Sequence, residues 1–348
     1  MNQRSPQPGD DSPLLDEQLK AGLRGDFKKG HQIAVELERK FLNNHRAAFN
    51  RAWYHMMNGD LLKGLECLDR GRWIGVFGDG PLPTSKPIYH NEPLAGRHLL
   101  MCSEGGLGDE IINIRFANRF AEQGAKVSVT CDPSLASVFA RVEGVGAVVL
   151  HKGAPVVYHD VWVPAMSAAH VLRCEYPQIS GKPYLTVDPI HREKWSQILK
   201  TRYPNGHPRI GARFYGNPKF EHEQFRRFPK GELVEALGGH AWLNLQKEET
   251  DLPIETWEDT LALIEHLDLV VTSCTSVAHA SAALGKPTWV LVPLLPYYIW
   301  AYPGQTSPWY EAVRLFRQTQ HGNWKSVFVE IREALGRYAK SGTDSLLF

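Results

Sequence analysis

The stretch Leu99-Leu-Met-Cys-Ser-Glu-Gly-Gly-Leu-Gly-Asp109 decides how this chain is read. A short apolar run leads straight into three glycines and a carboxylate. The segment after it puts Ile111, Ile112, Phe116 and Phe120 at helical spacing, and 126–131 (Lys-Val-Ser-Val-Thr-Cys) alternates as a strand does. Strand, glycine turn, helix, strand is how a Rossmann-like unit begins. Glycine lets the backbone approach a ligand, and a helix start offers unpaired N–H groups to an anion. Gly106 and Gly108 are therefore read as binding positions, with Asp109 at the crevice beyond the strand end. The plainer reading is a tight turn capped by its own aspartate.

Composition sets the bounds. The chain has 348 residues, enough for two domains and an extension, with 43% hydrophobic and 22% charged residues. A formal charge of +1 gives no polyelectrolyte field that would advertise nucleic acid or a membrane surface. The cysteines at 67, 102, 131, 174 and 274 show no C-x-x-C spacing. A reduced, cytoplasmic setting is expected. Residues 1–17 are polar and proline-bearing rather than a leader, and no apolar run is long enough for a membrane span.

Residues 1–13 read as a disordered tail, rich in Pro, Ser, Gly and Asp. From 14 to about 70 the apolar period is helical and predicts three or four helices. Residues 48–71 read as helix, Asn-Gly-Asp turn, helix, like a single tetratricopeptide unit. One such unit cannot build a solenoid, so a cap docked on the α/β region is expected, with a peptide-binding groove as the sharper alternative. The Pro/Gly-rich stretch 73–94 is a connector, which places a boundary near 95. Strands are expected at 147–150, 160–163, 209–214, 241–246, 267–272 and 288–292, with a brief extended piece at 184–187. Helices lie between them, and 220–230 is expected to be a mobile charged loop. Strands alternating with helices predict a parallel sheet in each half, and the cleft between two halves is a preferred ligand site.

In the second half, Ser273-Cys-Thr-Ser-Val-Ala-His279 reads as a strand end, a hydroxyl-rich turn and a helix of small residues. Ser273, Thr275 and Ser276 would aim hydroxyls and helix N–H groups at an anion, with the His279 imidazole one turn in. The alternative is an ordinary N-cap above a buried histidine.

Several motifs occur together, in order: Gly106-Leu-Gly-Asp109; Leu245-Gln-Lys247; Asp268-Leu-Val-Val; Thr275-Ser-Val-Ala-His279; Ala283-Leu-Gly-Lys-Pro-Thr-Trp; and Ser307-Pro-Trp-Tyr with Arg314-Leu-Phe-Arg. They resemble the bacterial tetratricopeptide-containing glycosyltransferases related to the heptosyltransferase group, glycosyltransferase family 9-like. The resemblance implies an α/β fold of two Rossmann-like domains (GT-B) with a helical, TPR-like N-terminal extension. It divides the chain into a 1–13 tail, a 14–95 cap and connector, a 96–190 acceptor domain and a 191–348 nucleotide-sugar donor domain. It implies Asp109 as general base and His279, beside Thr275 and Ser276, at the donor phosphates. No metal or other cofactor is expected, and the nucleotide-sugar is a substrate. The chain departs from the family in one place, where Cys274 stands for the usual aspartate before the threonine, so the donor's identity does not carry over.

Transfer requires an acceptor hydroxyl to lose a proton while a nucleoside diphosphate departs, and fixed positive groups must meet that diphosphate. Arg213, Gln246 and Lys247 at strand ends are candidates, and Arg226, Arg227 and Lys230 lie in the charged loop. Glu104 is the second candidate base. Tyr298, Trp300 and Trp309, from a cluster that also holds Tyr297 and Tyr310, are candidate sugar or acceptor contacts. The acceptor is open: a saccharide, a protein or a hydroxyl-bearing nucleic-acid base. An inactive scaffold of the same fold that binds a partner is the competing reading.

Overall fold

The computed structural model describes residues 12–41, 44–78, 84–150, 157–220 and 223–341. Residues 1–11 of the expected tail and the 79–83 part of the connector lie outside them.

Four helices lead the chain: Ser12–Leu23, Phe27–Lys40, His45–Met57 and Leu61–Leu68. Asp26, Asn44 and Asp60 each cap the next helix through a side-chain oxygen that accepts from the N–H three residues on, and such caps contribute about 1 kcal/mol each. The third and fourth helices pack closely because Gly64 has no side chain; a Cβ there would lie 2.5 Å from Met56 Cγ. A helix–turn–helix thus stands where the sequence predicts one. A 3₁₀ segment, Asp69–Ile74, follows.

Two parallel sheets come next. The first holds β1 (His98–Cys102), β2 (Lys126–Cys131), β3 (Val145–Leu150) and β4 (Val161–Pro164) in the order β3-β2-β1-β4. The second holds β5 (Ile210–Arg213), β6 (Trp242–Asn244), β7 (Leu269–Ser273), β8 (Thr288–Val292) and β9 (Val313–Arg317), ordered β6-β5-β7-β8-β9. All registers are parallel, so every strand of a sheet ends at the same edge. Strands β7 and β8 are buried along their whole length, as apolar strands covered on both faces must be.

Several sequence expectations change. Strand β9 reads Val-Arg-Leu-Phe-Arg, and its arginines hide it; Arg314 is buried against the Trp289 and Phe316 rings. Segment 184–187 carries no strand, because Tyr184 and Leu185 both donate to the Ala283 carbonyl at the end of a helix. The expected loop 220–230 contains the short helix Glu223–Arg226. The last helix, Lys325–Ser341, which the family resemblance would carry back to the first half, instead packs Val327, Phe328 and Ile331 with Leu233 and Trp289 beside the second sheet.

The halves are joined by partly and fully buried contacts. Arg141 makes a bidentate ion pair with Glu258 at 2.7 Å, and the Tyr184 and Tyr310 hydroxyls lie 3.3 Å apart. Arg115 donates to the carbonyls of Ile112, Ser180 and Trp309 and lies 4.5 Å from the ring centres of both Tyr184 and Tyr310. This buried cation is met by carbonyl dipoles and ring faces. No helix among the described residues is long and apolar enough to cross a membrane.

Candidate active site

Strand β1 ends at Cys102, and its chain turns through Ser103–Gly106 into the helix Leu107–Asn113. Gly105 takes a φ of +75°, which a side chain would strain, and a Cβ there would meet the Asp109 carboxylate at 2.5 Å. Asp109 closes the turn as a cap, since its Oδ2 accepts from Gly106 N at 2.9 Å. Its Oδ1 receives the Tyr297 hydroxyl at 2.6 Å, from a loop of the second half. Burial raises the Asp109 carboxyl above its ordinary range; Tyr297, the Gly106 N–H and the Arg226 charge pull it back. One oxygen of the carboxylate thus caps its own turn, as the plainer reading expects, and the other meets the second half through Tyr297.

Opposite lies the helix Ser276–Ala283, which starts beyond β7. Thr275 holds the N-cap position without making a side-chain cap bond, so the first N–H groups of this helix are not taken by their own cap. The helix ends at Gly285, whose φ of +76° lets the chain turn back under it. The two helix starts touch. A Cβ on Gly108 would lie 3.2 Å from His279 Cδ2 and 3.7 Å from Ser276 Cα. Gly108 is therefore where the halves meet without side-chain thickness between them.

His279 is buried, stacked on Trp300 (ring centres 5.3 Å apart, planes at 8°), with Nδ1 3.4 Å from the Tyr310 hydroxyl. Burial, then the charges of Arg115 and Arg226, drives its imidazole down to about 3. At neutral pH it is uncharged and can offer one N–H or one lone pair. Arg226 supplies charge instead. Its Nη1 donates to the Cys274 carbonyl and its Nε to Glu223 Oε2 at 2.6 Å. Gly216 makes room for it, because a Cβ there would lie 2.3 Å from Arg226 Nη2. The Cys274 thiol donates to the Leu291 carbonyl at 3.2 Å, and burial pushes it up to about 12. It stays neutral, unlike the carboxylate the family resemblance would place there. Ser273 is fully buried, its hydroxyl without a partner.

The other sequence-predicted residues fall into two groups. Arg213, Gln246 and Lys247 lie at the ends of β5 and β6, two strands across the sheet edge. Arg213 donates to the Leu245 and Tyr215 carbonyls, and burial holds its guanidinium below the usual value. Gln246 donates to Glu248 at 2.7 Å, and Lys247 to the Glu255 carbonyl at 3.1 Å. Glu104, Tyr298, Trp300 and Trp309 are placed differently from what the sequence suggests. The Glu104 side chain is enclosed and paired through both oxygens with Arg72 of the N-terminal segment, at 2.6 and 2.8 Å. Tyr298, Trp300 and Trp309 are buried; Trp300 stacks on His279, while Trp309 meets Phe116 and Tyr298 in edge-to-face contacts. Rings enclosed this way offer no surface to a sugar.

Three arginines complete the site's surroundings. Arg226 and Arg317 fall within a loop and a motif that the sequence marks, whereas nothing local marks Arg115. Arg317 donates to the Trp300, Tyr302 and Gly304 carbonyls, and burial lowers it to about 10. Glu110, beside Asp109, is pushed up to about 7 by burial, and it accepts from Asp132 N at 2.9 Å. Among the described residues, no group of three His, Cys, Asp or Glu is placed to hold a metal ion.

Two facing parallel α/β halves with a carboxylate and a helix start meeting between them define the class of structure. Comparison with known proteins agrees at the level of fold. The glycosyltransferase family 9 structure from Veillonella parvula DSM 2008 superposes with a TM-score of 0.52 at 13% identity, over 74% of this chain and 99% of that one. The ADP-heptose lps heptosyltransferase II of E. coli gives 0.45 at 12% identity, over 69% and 98%. In sequence, Protein FlbA of Caulobacter vibrioides is 25% identical over 344 residues, 84% of this chain. The chain spans about half of that relative's length, 55%. No protein-family model matches.

Proposed function

We propose that this chain is a glycosyltransferase that moves a sugar from a nucleotide-activated donor to an acceptor hydroxyl, without a metal. The observation that carries the reading is the meeting, at Gly108, of the turn that carries Asp109 with the start of the Ser276–Ala283 helix. The fold shared with a family 9 glycosyltransferase supports it.

In this reading the Asp109 carboxylate takes the acceptor's O–H proton as that oxygen bonds to the anomeric carbon. The bond from that carbon to the diphosphate breaks, and the diphosphate leaves with the electron pair. Its charge is met by the helix N–H groups, by the Ser273, Thr275 and Ser276 hydroxyls and by Arg226. His279 acts as a neutral hydrogen-bonding group, its ring fixed by Trp300. Arg226 has to leave the Cys274 carbonyl to reach a diphosphate, so donor entry and side-chain movement are coupled. Arg213, Gln246 and Lys247 are assigned to the nucleotide end of the donor. The helix pair 45–68 is read as the remaining TPR-like element.

The test is a thermal-shift screen of nucleoside diphosphates and their sugar conjugates on wild type, Arg226→Gln and His279→Gln. A ligand at about 100 times its Kd stabilises by about 2.7 kcal/mol. Stabilisation by one nucleotide class, weakened in both variants, is expected. Absence of any nucleotide-dependent shift in wild type removes the donor site and leaves the scaffold reading, which the neutral Cys274 favours.

A further inference from the structure

A cavity of about 380 Å³ lies between the N-terminal helices and the second half. This is the size of a small-ligand site. Leu19, Phe49, Trp53 and Met57 line it from the helices, and Phe225 and Leu295 from the other side. Its polar groups include the amides of Gln18 and Asn50, which are bonded to each other at 2.9 Å. Both walls from the second half run directly into the candidate site. Leu295-Pro296 precedes Tyr297, the donor to Asp109 Oδ1, and Gln224-Phe225 precedes Arg226. The first wall is held in place by Trp53, whose Nε1 donates to the Pro296 carbonyl at 2.7 Å.

We propose that this cavity holds the apolar part of the acceptor, an aromatic or branched aliphatic group attached to the part that bears the hydroxyl. The inference rests on the transferase reading and adds the acceptor's chemistry to it. Four apolar side chains of the helices face a wall whose next residue touches the reacting carboxylate, so the cavity and Asp109 are tied together through the single segment Leu295–Tyr297. Burying such a group gives binding without direction, and the Gln18–Asn50 amides supply direction by meeting a carbonyl or N–H beside it. The N-terminal helices are then a wall of the acceptor site.

The probes are N-acetyl-L-phenylalaninamide and the capped peptide Ala-Ala-Phe-Ser-Phe-Ala-Ala, followed by ligand-observed NMR. The protein carries ¹³C-carboxyl aspartate, with the Asp109 resonance assigned by Asp109→Asn. Leu19 is partly exposed at the cavity mouth, so Leu19→Trp fills the mouth and Leu19→Asp charges it with little demand on the core. Both probes are expected to bind wild type and to shift the Asp109 resonance, and both variants to weaken binding at least about fivefold with unchanged melting. A peptide bound at least about tenfold more tightly than the amide identifies a polypeptide acceptor; equal binding identifies a small apolar aglycone. No binding, binding unchanged in both variants, or binding that leaves the Asp109 resonance in place overturns the proposal. Nucleoside diphosphate binding, read on the same samples, separates the two failures. Nucleotide without probe binding refutes the cavity assignment alone. Probe without nucleotide binding refutes the transferase reading and, with it, the acceptor assignment.

Discussion

The sharpest physical prediction concerns His279, which is 3% exposed. Its folded value of about 3 lies below the ordinary 6.5. The unfolded chain therefore takes up a proton that the folded one refuses. The stability this site contributes is complete above pH 6.5 and is lost as pH falls toward 3. Each unit is worth about 1.4 kcal/mol, so His279 alone removes about 2.7 kcal/mol between pH 6.5 and 4.5. Glu110 has the opposite sign. Its carboxyl is raised from 4.5 to about 7, so the folded chain holds a proton that the unfolded one has released, and stability rises as pH falls through that interval. The two slopes nearly cancel in wild type. Urea midpoints measured from about pH 7.5 to about 4.5 on wild type, His279→Gln and Glu110→Gln resolve them. Relative to wild type, His279→Gln should gain about 2.7 kcal/mol between pH 6.5 and 4.5, and Glu110→Gln should lose a similar amount. A His279→Gln curve parallel to wild type would mean that the imidazole titrates as in water, and would refute its enclosure between Trp300 and Gly108.

Three further outcomes follow from the geometry. Tyr297→Phe removes a hydrogen bond that stabilises ionised Asp109, so the acid limb of the activity profile should move to higher pH; an unmoved limb would exclude Asp109 as the titrating base. Gly144 has a φ of +85°, and a Cβ on it would lie 2.4 Å from Asn118 Cα, so Gly144→Ala should cost about 2–4 kcal/mol in chemical denaturation. Asp259 is buried, and hydrogen bonds from Lys194, Trp195 and Thr256 overcome that burial to hold its carboxyl at about 2. Its stabilisation is present above about pH 4 and lost as pH falls toward 2, so Asp259→Asn should lose about 2 kcal/mol at pH 7 and have a shallower acid limb of unfolding.

Much of the fold is legible from local pattern. Thr288–Val292 is a strand at the predicted residues, and the glycine turn before Asp109 and the hydroxyl turn before His279 each open a helix. Local pattern fails where a side chain's partner is distant in sequence. In sequence Trp300 is a candidate sugar contact in a cluster that more often serves as packing, and only the fold brings His279 against its face. Glu104 reads as a second candidate base until the fold shows Arg72, 32 residues earlier, closing over it. Arg115 has no local signature because its acceptors are carbonyls at 112, 180 and 309. Strand β9 is hidden by charge, since the usual alternation assumes that arginines face water.

The Arg72–Glu104 pair also bears on whether the parts of this protein can be separated. Composition suggests a cut near residue 95, but the Glu104 side chain is fully enclosed and its ionic partner lies before the cut. A chain that begins at 95 loses that cation together with the segment that covers Glu104, and it bares the apolar core that Leu65, Leu68 and Phe77 share with Leu99 and Met101. The helical segment thus belongs to the first sheet's folding unit, and it cannot be gained or lost as a module without remaking that surface.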